Sequence, residues 1–217
     1  MRRTRLKSIC LVSGGLDSLV SFLSALRKTR VVLALTFDYG QTAAKREIQS
    51  ARQICRRYGI KHRVVKLFLP ASGICRKKNS LKQDVKSVWV CNRNGVFVAM
   101  AAAFAESMEA AIIVTGFNAE EAREFPDNSK KFVRSANLLL KYSVLTPVRL
   151  VSYTQELDKA GIIRLGERLK APWDILYSCY AGRKKMCGRC LSCRHLTAAL
   201  KKTGLWKKIK RKFEYAD

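Results

Sequence analysis

The chain has 217 residues, 48% of them apolar and 27% charged, which suits one α/β domain with a small appendage and excludes a disordered or collagen-like chain. Forty-three Lys and Arg against sixteen Asp and Glu give a formal charge of +27, so a polyanionic partner such as tRNA, ATP or an acidic protein would be attracted in a salt-dependent way. No segment approaches the ~20 apolar residues of a membrane span, and a cytoplasmic location is expected.

Short apolar runs alternate with helical patterns. A first strand is expected over 8–12; its apolar run is too short for the core of a signal peptide and leads straight into a glycine turn with an acidic residue. A crossover helix over 17–28 leads to a second strand at 31–37. Next come a helix over 42–58 closed by Gly59, a third strand at 62–67, and a basic, poorly periodic stretch at 70–87 that reads as a loop or lid. A largely apolar helix over 95–110 precedes a strand at 111–115 and points to a homodimer. Beyond it the pattern gives a helix over 129–141, a strand at 144–148, a helix over 154–169 and a basic run at 201–212 that reads as an interaction tail. The β-α-β-α-β alternation predicts a doubly wound parallel sheet, with ligands beyond the C-terminal strand ends at the switch in strand order. The expected division is a nucleotide-binding unit over 1–170 and a zinc-binding segment with a basic helical tail over 171–217.

The turn after the first strand reads Ser13-Gly14-Gly15-Leu16-Asp17-Ser18. Two glycines permit positive φ and close approach of the backbone to a ligand. The following helix offers free N–H groups and a partial positive charge to an anion. Ser13 and Ser18 can donate to phosphate oxygens. Asp17 would repel a bare phosphate, so its natural companion is a Mg²⁺ ion bridging the phosphates. The chain has neither G-x-x-x-x-G-K-[ST] nor G-x-G-x-x-G, and the bland alternative is a serine-bearing β-α turn.

Of eight cysteines, Cys179, Cys187, Cys190 and Cys193 crowd into fifteen residues. In a cytosolic chain such a cluster points to metal, and four thiolates at this spacing suit one tetrahedral, structural Zn²⁺. An iron–sulfur cluster is the competing occupant, and His195 is a possible extra ligand.

Ser-Gly-Gly-x-Asp-Ser resembles the signature of the ATP pyrophosphatases, whose fold is of the adenine-nucleotide α-hydrolase (PP-loop) type. Further matches are Phe37-Asp38-Tyr39-Gly40-Gln41, Arg93-Asn94, Gly116-Phe117-Asn118-Ala119-Glu120, Phe125-Pro126-Asp127, Pro147, Ser178-Cys179-Tyr180 and the Cys187-Gly188-x-Cys190 knuckle. With these the chain resembles, from about residue 8 to 200, the 7-cyano-7-deazaguanine synthase family of queuosine and archaeosine biosynthesis. The resemblance implies adenylation of 7-carboxy-7-deazaguanine by ATP, amide formation with ammonia, and activation of the amide by a second ATP on the way to the nitrile. It implies that Val12, Ser13, Gly14, Gly15, Leu16, Asp17, Ser18 and Leu19 surround the pyrophosphate, with Tyr39, Gln41 and Gly116 near the nucleotide. Ser13, Asp17, Ser18 and Arg93 are the expected catalytic set, and Arg93, Asn94, Asn118, Glu120 and Asp127 the expected substrate contacts. Thr42-Ala43, Cys91-Asn92 and Asn128 depart from the family's usual residues and put in question ammonia entry and completion of the nitrile. Alternatives are a relative that conjugates the adenylated acid to another amine, a tRNA-modifying adenylase, and a zinc-dependent binding module without catalysis.

Overall fold

The computed structural model describes residues 5–69 and 88–215; the expected lid at 70–87 lies outside the described residues. Five strands, β1 (Lys7–Leu11), β2 (Arg30–Asp38), β3 (His62–Lys66), β4 (Ile112–Thr115) and β5 (Arg149–Ser152), form one sheet in the order β3-β2-β1-β4-β5. Every neighbouring pair is parallel. The chain winds outward from β1 to β3 and then returns to β1's other side as β4, so the switch in strand order falls between β1 and β4.

Strand periodicity divides the core between the two faces of the sheet. Cys10, Ala34, Ile112 and Val114 belong to one core cluster; Ile9, Leu33, Leu35 and Ile113 belong to the other. The first is covered by α1 (Leu16–Lys28), α2 (Ala44–Arg57), α6 (Lys159–Arg168) and α7 (Leu191–Lys202), the second by α3 (Arg93–Ser107) and α5 (Lys130–Ser143). The short helix α4 (Glu121–Glu124) lies beyond the end of β4. Apolar runs buried on both faces are what a parallel sheet demands, and the doubly wound expectation holds.

Two expected element bounds need correction. The strand expected at 144–148 is the β5 strand at Arg149–Ser152, paired with Ile112–Thr115. Pro147 has no N–H to give a ladder, and the Leu145 and Thr146 amides go instead to the Glu106 carboxylate at 2.5 and 3.3 Å. The helix expected from 154 begins at Lys159, because Asp158 is its N-cap and accepts from the Gly161 amide at 2.6 Å. The preceding residues form a turn fastened by the Thr154 hydroxyl to the Phe117 carbonyl at 2.7 Å.

The basic run at 201–212 is folded. It closes α7, forms α8 (Trp206–Ile209) and a 3₁₀ turn (Lys210–Lys212), and buries Leu205, Ile209 and Phe213 in the same core as α1. Full burial of such side chains contributes roughly 1.5–3 kcal/mol each, so the lysines lie on the outer side of a packed element.

Gly116, directly after β4, permits a close backbone approach that bears on function. A Cβ there would lie 2.5 Å from the Ser18 amide nitrogen and 2.7 Å from the Asp17 carbonyl carbon. Gly116→Ala is therefore expected to push α1 off the sheet and cost about 1–3 kcal/mol, as overpacking does; chemical denaturation against the parent chain measures it.

Candidate functional site

The phosphate-type loop stands at the switch point. Gly14 has φ +83°, a conformation that L side chains rarely adopt, and Gly15 is the N-cap of α1 without a capping side chain. The first amides of α1 therefore remain available to an external anion. Ser13 and Ser18 face each other, their hydroxyl oxygens 3.1 Å apart, and the Ser13 amide donates to the Ser18 oxygen at 3.2 Å. Val12, Leu16 and Leu19 turn their side chains into the core, so only their backbone can meet a ligand.

Asp17 is held by a residue the motif does not reveal. The Lys159 ammonium lies 2.6 Å from Asp17 Oδ2 and 2.6 Å from Glu121 Oε1, with the lysine only 8% exposed. Burial pushes the Asp17 carboxyl up to about 6, against the pull of Lys159 and with help from Glu121. Glu121 is half-buried, and Lys159 carries its carboxyl below the usual range against the desolvation it does feel. Asp17 Oδ1 is buried and has no partner, which leaves one carboxylate oxygen for a cation carried on phosphates.

The other expected residues divide into two groups. Arg93, Tyr39 and Asp127 converge: the Arg93 guanidinium reaches the Tyr39 hydroxyl at 3.5 Å, and Tyr39, Asp127 and Tyr180 hold its charge in place against the effect of burial. Burial pushes the Asp127 carboxyl upward although Arg93 opposes it. Gln41, Asn94, Asn118 and Glu120 spend hydrogen bonds on the frame. The Gln41 amide donates to the Phe37 carbonyl at 3.0 Å and to Glu47 at 2.9 Å, and its oxygen accepts from the Tyr39 amide. Asn94 donates from its side chain to the Asp127 carbonyl at 3.2 Å. Asn118 Oδ1 accepts from the Glu120 and Glu121 amides at 3.0 and 2.9 Å, while its buried Nδ2 has no partner. Glu120 Oε1 accepts from the Lys159 amide at 3.0 Å, so the carboxylate that meets the lysine side chain is Glu121. Gly116 backs the loop through its contact with α1.

Lys159, Glu121, Glu47 and Tyr180 were not among the expected site residues. Asp158 is the N-cap of α6, and recognising that cap would have placed Lys159 in the first turn of a helix rather than inside one.

The four cysteines do come together. Their sulfurs lie within 4.8 Å of one another, with Cys187 to Cys193 at 3.9 Å and Cys190 to Cys179 at 4.0 Å. Four sulfurs around one zinc at ~2.3 Å sit about 3.8 Å apart, so the set fits a tetrahedral ion. Amides supply an outer layer: Cys187 N donates to Cys179 Sγ at 3.3 Å and Cys190 N to Cys187 Sγ at 3.3 Å. Gly188, with φ +74°, makes the knuckle. Among the described residues the metal-capable group is these four cysteines, without His195.

Lys159→Met is expected to destabilise the fold by about 3 kcal/mol at neutral pH, the low end for a buried pair, because it strands the largely buried Asp17 carboxylate and the half-buried Glu121. The deficit shrinks toward pH 5, where those carboxyls can take up protons. Urea unfolding of both chains at the two pH values checks this.

A family model described as "Queuosine biosynthesis protein QueC" matches residues 7–204. The 7-cyano-7-deazaguanine synthase of Pelotomaculum thermopropionicum is 45% identical over 218 residues, covering 92% of this chain and 99% of its own. That of Carboxydothermus hydrogenoformans is 46% identical over 209 residues, covering 89% and 97%. Among solved structures, NMN synthetase from Francisella tularensis matches with a TM-score of 0.52 at 17% identity, covering 93% of this chain and 78% of that one. At that identity the likeness concerns the fold, which is of the PP-loop type.

Proposed function

The chain belongs to the QueC family of queuosine biosynthesis proteins, and on that premise we propose that it is an ATP-dependent carbon–nitrogen ligase, a 7-cyano-7-deazaguanine synthase. The observation that carries the reading is an intact Ser-Gly-Gly-x-Asp-Ser loop at the switch point of a parallel sheet, in a chain that matches the family over 7–204.

In the proposed reaction the carboxylate of 7-carboxy-7-deazaguanine attacks the α-phosphorus of ATP, forming an acyl adenylate and releasing pyrophosphate. Ammonia displaces AMP to give the amide. The amide oxygen then attacks the α-phosphorus of a second ATP, releasing a second pyrophosphate, and loss of AMP and protons from the adenylated amide leaves the nitrile. Gly15, Leu16 and the first amides of α1, with Ser13 and Ser18, receive the departing pyrophosphate. Asp17, through its unpartnered oxygen, would hold a Mg²⁺ ion that neutralises phosphate charge. Lys159 keeps Asp17 and Glu121 oriented between turnovers. Arg93, charged and next to Tyr39, is placed to receive the substrate carboxylate or the α-phosphate in a bidentate way. Asp127, fixed by Asn94, is proposed to meet the N–H edge of the deazaguanine. Tyr39 and Gly116 flank the nucleotide, and Gln41 keeps Tyr39 in place. The four cysteines would hold Zn²⁺ with no open position, so that ion is structural.

A cytoplasmic homodimer completes the proposal. It is supported by Leu138, Leu139 and Tyr142 of α5 and Leu145 after it, all apolar and solvent-facing in the single chain.

Incubation with the acid, ATP, Mg²⁺ and ammonium should yield AMP and the cyano product by mass spectrometry. Asp17→Ala should lower AMP formation about a hundredfold or more. AMP without nitrile would point to a conjugating relative, and no AMP would overturn the assignment.

A further inference from the structure

The residues that lead into the first cysteine of the cluster also hold the phosphate loop. Gly14 has φ +83°, which glycine adopts freely, and its carbonyl accepts from the Tyr177 amide at 3.0 Å. The Ser50 hydroxyl of α2 lies 3.3 Å from the same carbonyl and 2.5 Å from the carbonyl of Ile175. A Cβ on Gly14 would fall 2.4 Å from Ser50 Oγ, and one on Gly15 would face Ser178 Oγ at 3.7 Å and the Tyr177 carbonyl at 4.0 Å. The loop therefore leans on α2 on one side and on 175–178 on the other, with no room to recoil.

The segment 175–178 is in turn held by the cysteine cluster's own scaffold. Ser178 precedes Cys179. Its hydroxyl pairs with the Ser192 hydroxyl at 3.0 Å, its carbonyl faces Ser192 Oγ at 3.3 Å and Cys193 Sγ at 3.6 Å, and its amide meets Met186 Sδ at 3.3 Å. Ser192 and Cys193 lie in the first turn of α7, whose N-cap is Cys190. Cys179 on one side and Cys190 with Cys193 on the other are thus the two jaws that grip Ser178. Four thiolates this close repel one another, and a divalent cation is what keeps them together.

We propose that Tyr177 and Ser178 are positioning residues that couple the cysteine-held ion to the phosphate loop, so that occupancy of the cluster sets nucleotide affinity without any contact between the ion and the nucleotide. This rests on the reading of the loop as an ATP site. Loosening Cys179 from Cys190 and Cys193 frees Ser178, withdraws the Tyr177 amide from the Gly14 carbonyl and lets the loop leave the geometry in which its amides converge on an anion. Misplacement of such groups by about 1 Å can cost up to a hundredfold.

The test uses the full chain, the Mg²⁺ complex of the non-hydrolysable ATP analogue with a methylene between the α and β phosphates, and two variants. Cys190→Ser should lose its zinc by elemental analysis, keep its far-ultraviolet dichroism, and bind the analogue about tenfold or more weakly by calorimetry. Ser192→Ala keeps all four ligands and removes only the tie to Ser178; it should retain zinc and bind about fivefold more weakly, the order of one hydrogen bond. In both, hydrogen exchange at the amides of 14–18 should quicken. Unchanged affinity and exchange in Ser192→Ala would overturn the coupling, and this holds even where Cys190→Ser does not fold. Failure of the zinc-loaded parent to bind the analogue would instead overturn the ATP reading, while the exchange data would still decide whether the cluster and the loop are coupled.

Discussion

The end of β4 must lie against the first turn of α1, and much of the site follows from that approach. At the switch point, β1 delivers the loop and β4 delivers Gly116, whose missing side chain leaves room for the backbone of Asp17 and Ser18. A larger residue would lift the helix N-terminus away from the sheet and scatter the amides that converge on an anion. Because β4 is held on its other edge by β5, the same approach brings the residues after β5 within reach. Lys159, at the start of α6, can then reach back to Asp17 over a sequence separation of 142 residues. The fold thus assembles the site by strand order, and no single segment contains it.

Charge in this interior is managed by pairing. Two carboxylates, Asp17 and Glu121, share one buried ammonium, and burial still raises Asp17 to about 6. Desolvation and mutual repulsion of the carboxylates outweigh the attraction of a single lysine for Asp17. The result is a group with one oxygen bonded and one unsatisfied. Such an arrangement is poorly optimised for stability, yet it suits a site that meets a further cation with its ligand. Arg93 follows a similar logic on the other side: Tyr39 and Asp127 keep its charge in a half-buried place without forming a bidentate pair that would occupy its fork.

Much of this was legible from residue order because the decisive signals are local. The loop 13–18, the cysteine spacing and the alternation of apolar runs each lie within a short window, and the structure places all three as read. What escaped were features that depend on partners far away in sequence. The edge strand β5 was read too early because 144–148 is apolar, although Pro147 cannot join a ladder. The helix expected from 154 concealed its true start at Asp158, and with it Lys159. Glu120 and Glu121 are adjacent and chemically equivalent in the sequence, and only α4's orientation sends one to a backbone amide and the other to the ammonium. The basic run at 201–212 read as a helical interaction tail because lysines mask the spacing of Leu205, Ile209 and Phe213, which pack into the core.

The placement of the cysteine cluster argues against treating it as an appendage. Its residues belong to the same hydrophobic cluster as α1 and α2, and the adjacent segment donates from Tyr177 to the phosphate loop. Gly182, with φ +66°, packs onto the backbone of Thr42, where a Cβ would lie 2.3 Å from the Thr42 carbonyl oxygen. The cluster's segment therefore touches two of the loops that emerge from the strand ends at the site, the one after β1 and the one after β2. A metal with four protein ligands has no vacancy for chemistry, but it can fix a loop-rich segment that has few backbone ladders of its own. Regular structure holds one side of the site through β4 and α1, and the cysteine-bearing segment holds the opposite side through hydrogen bonds to the loop.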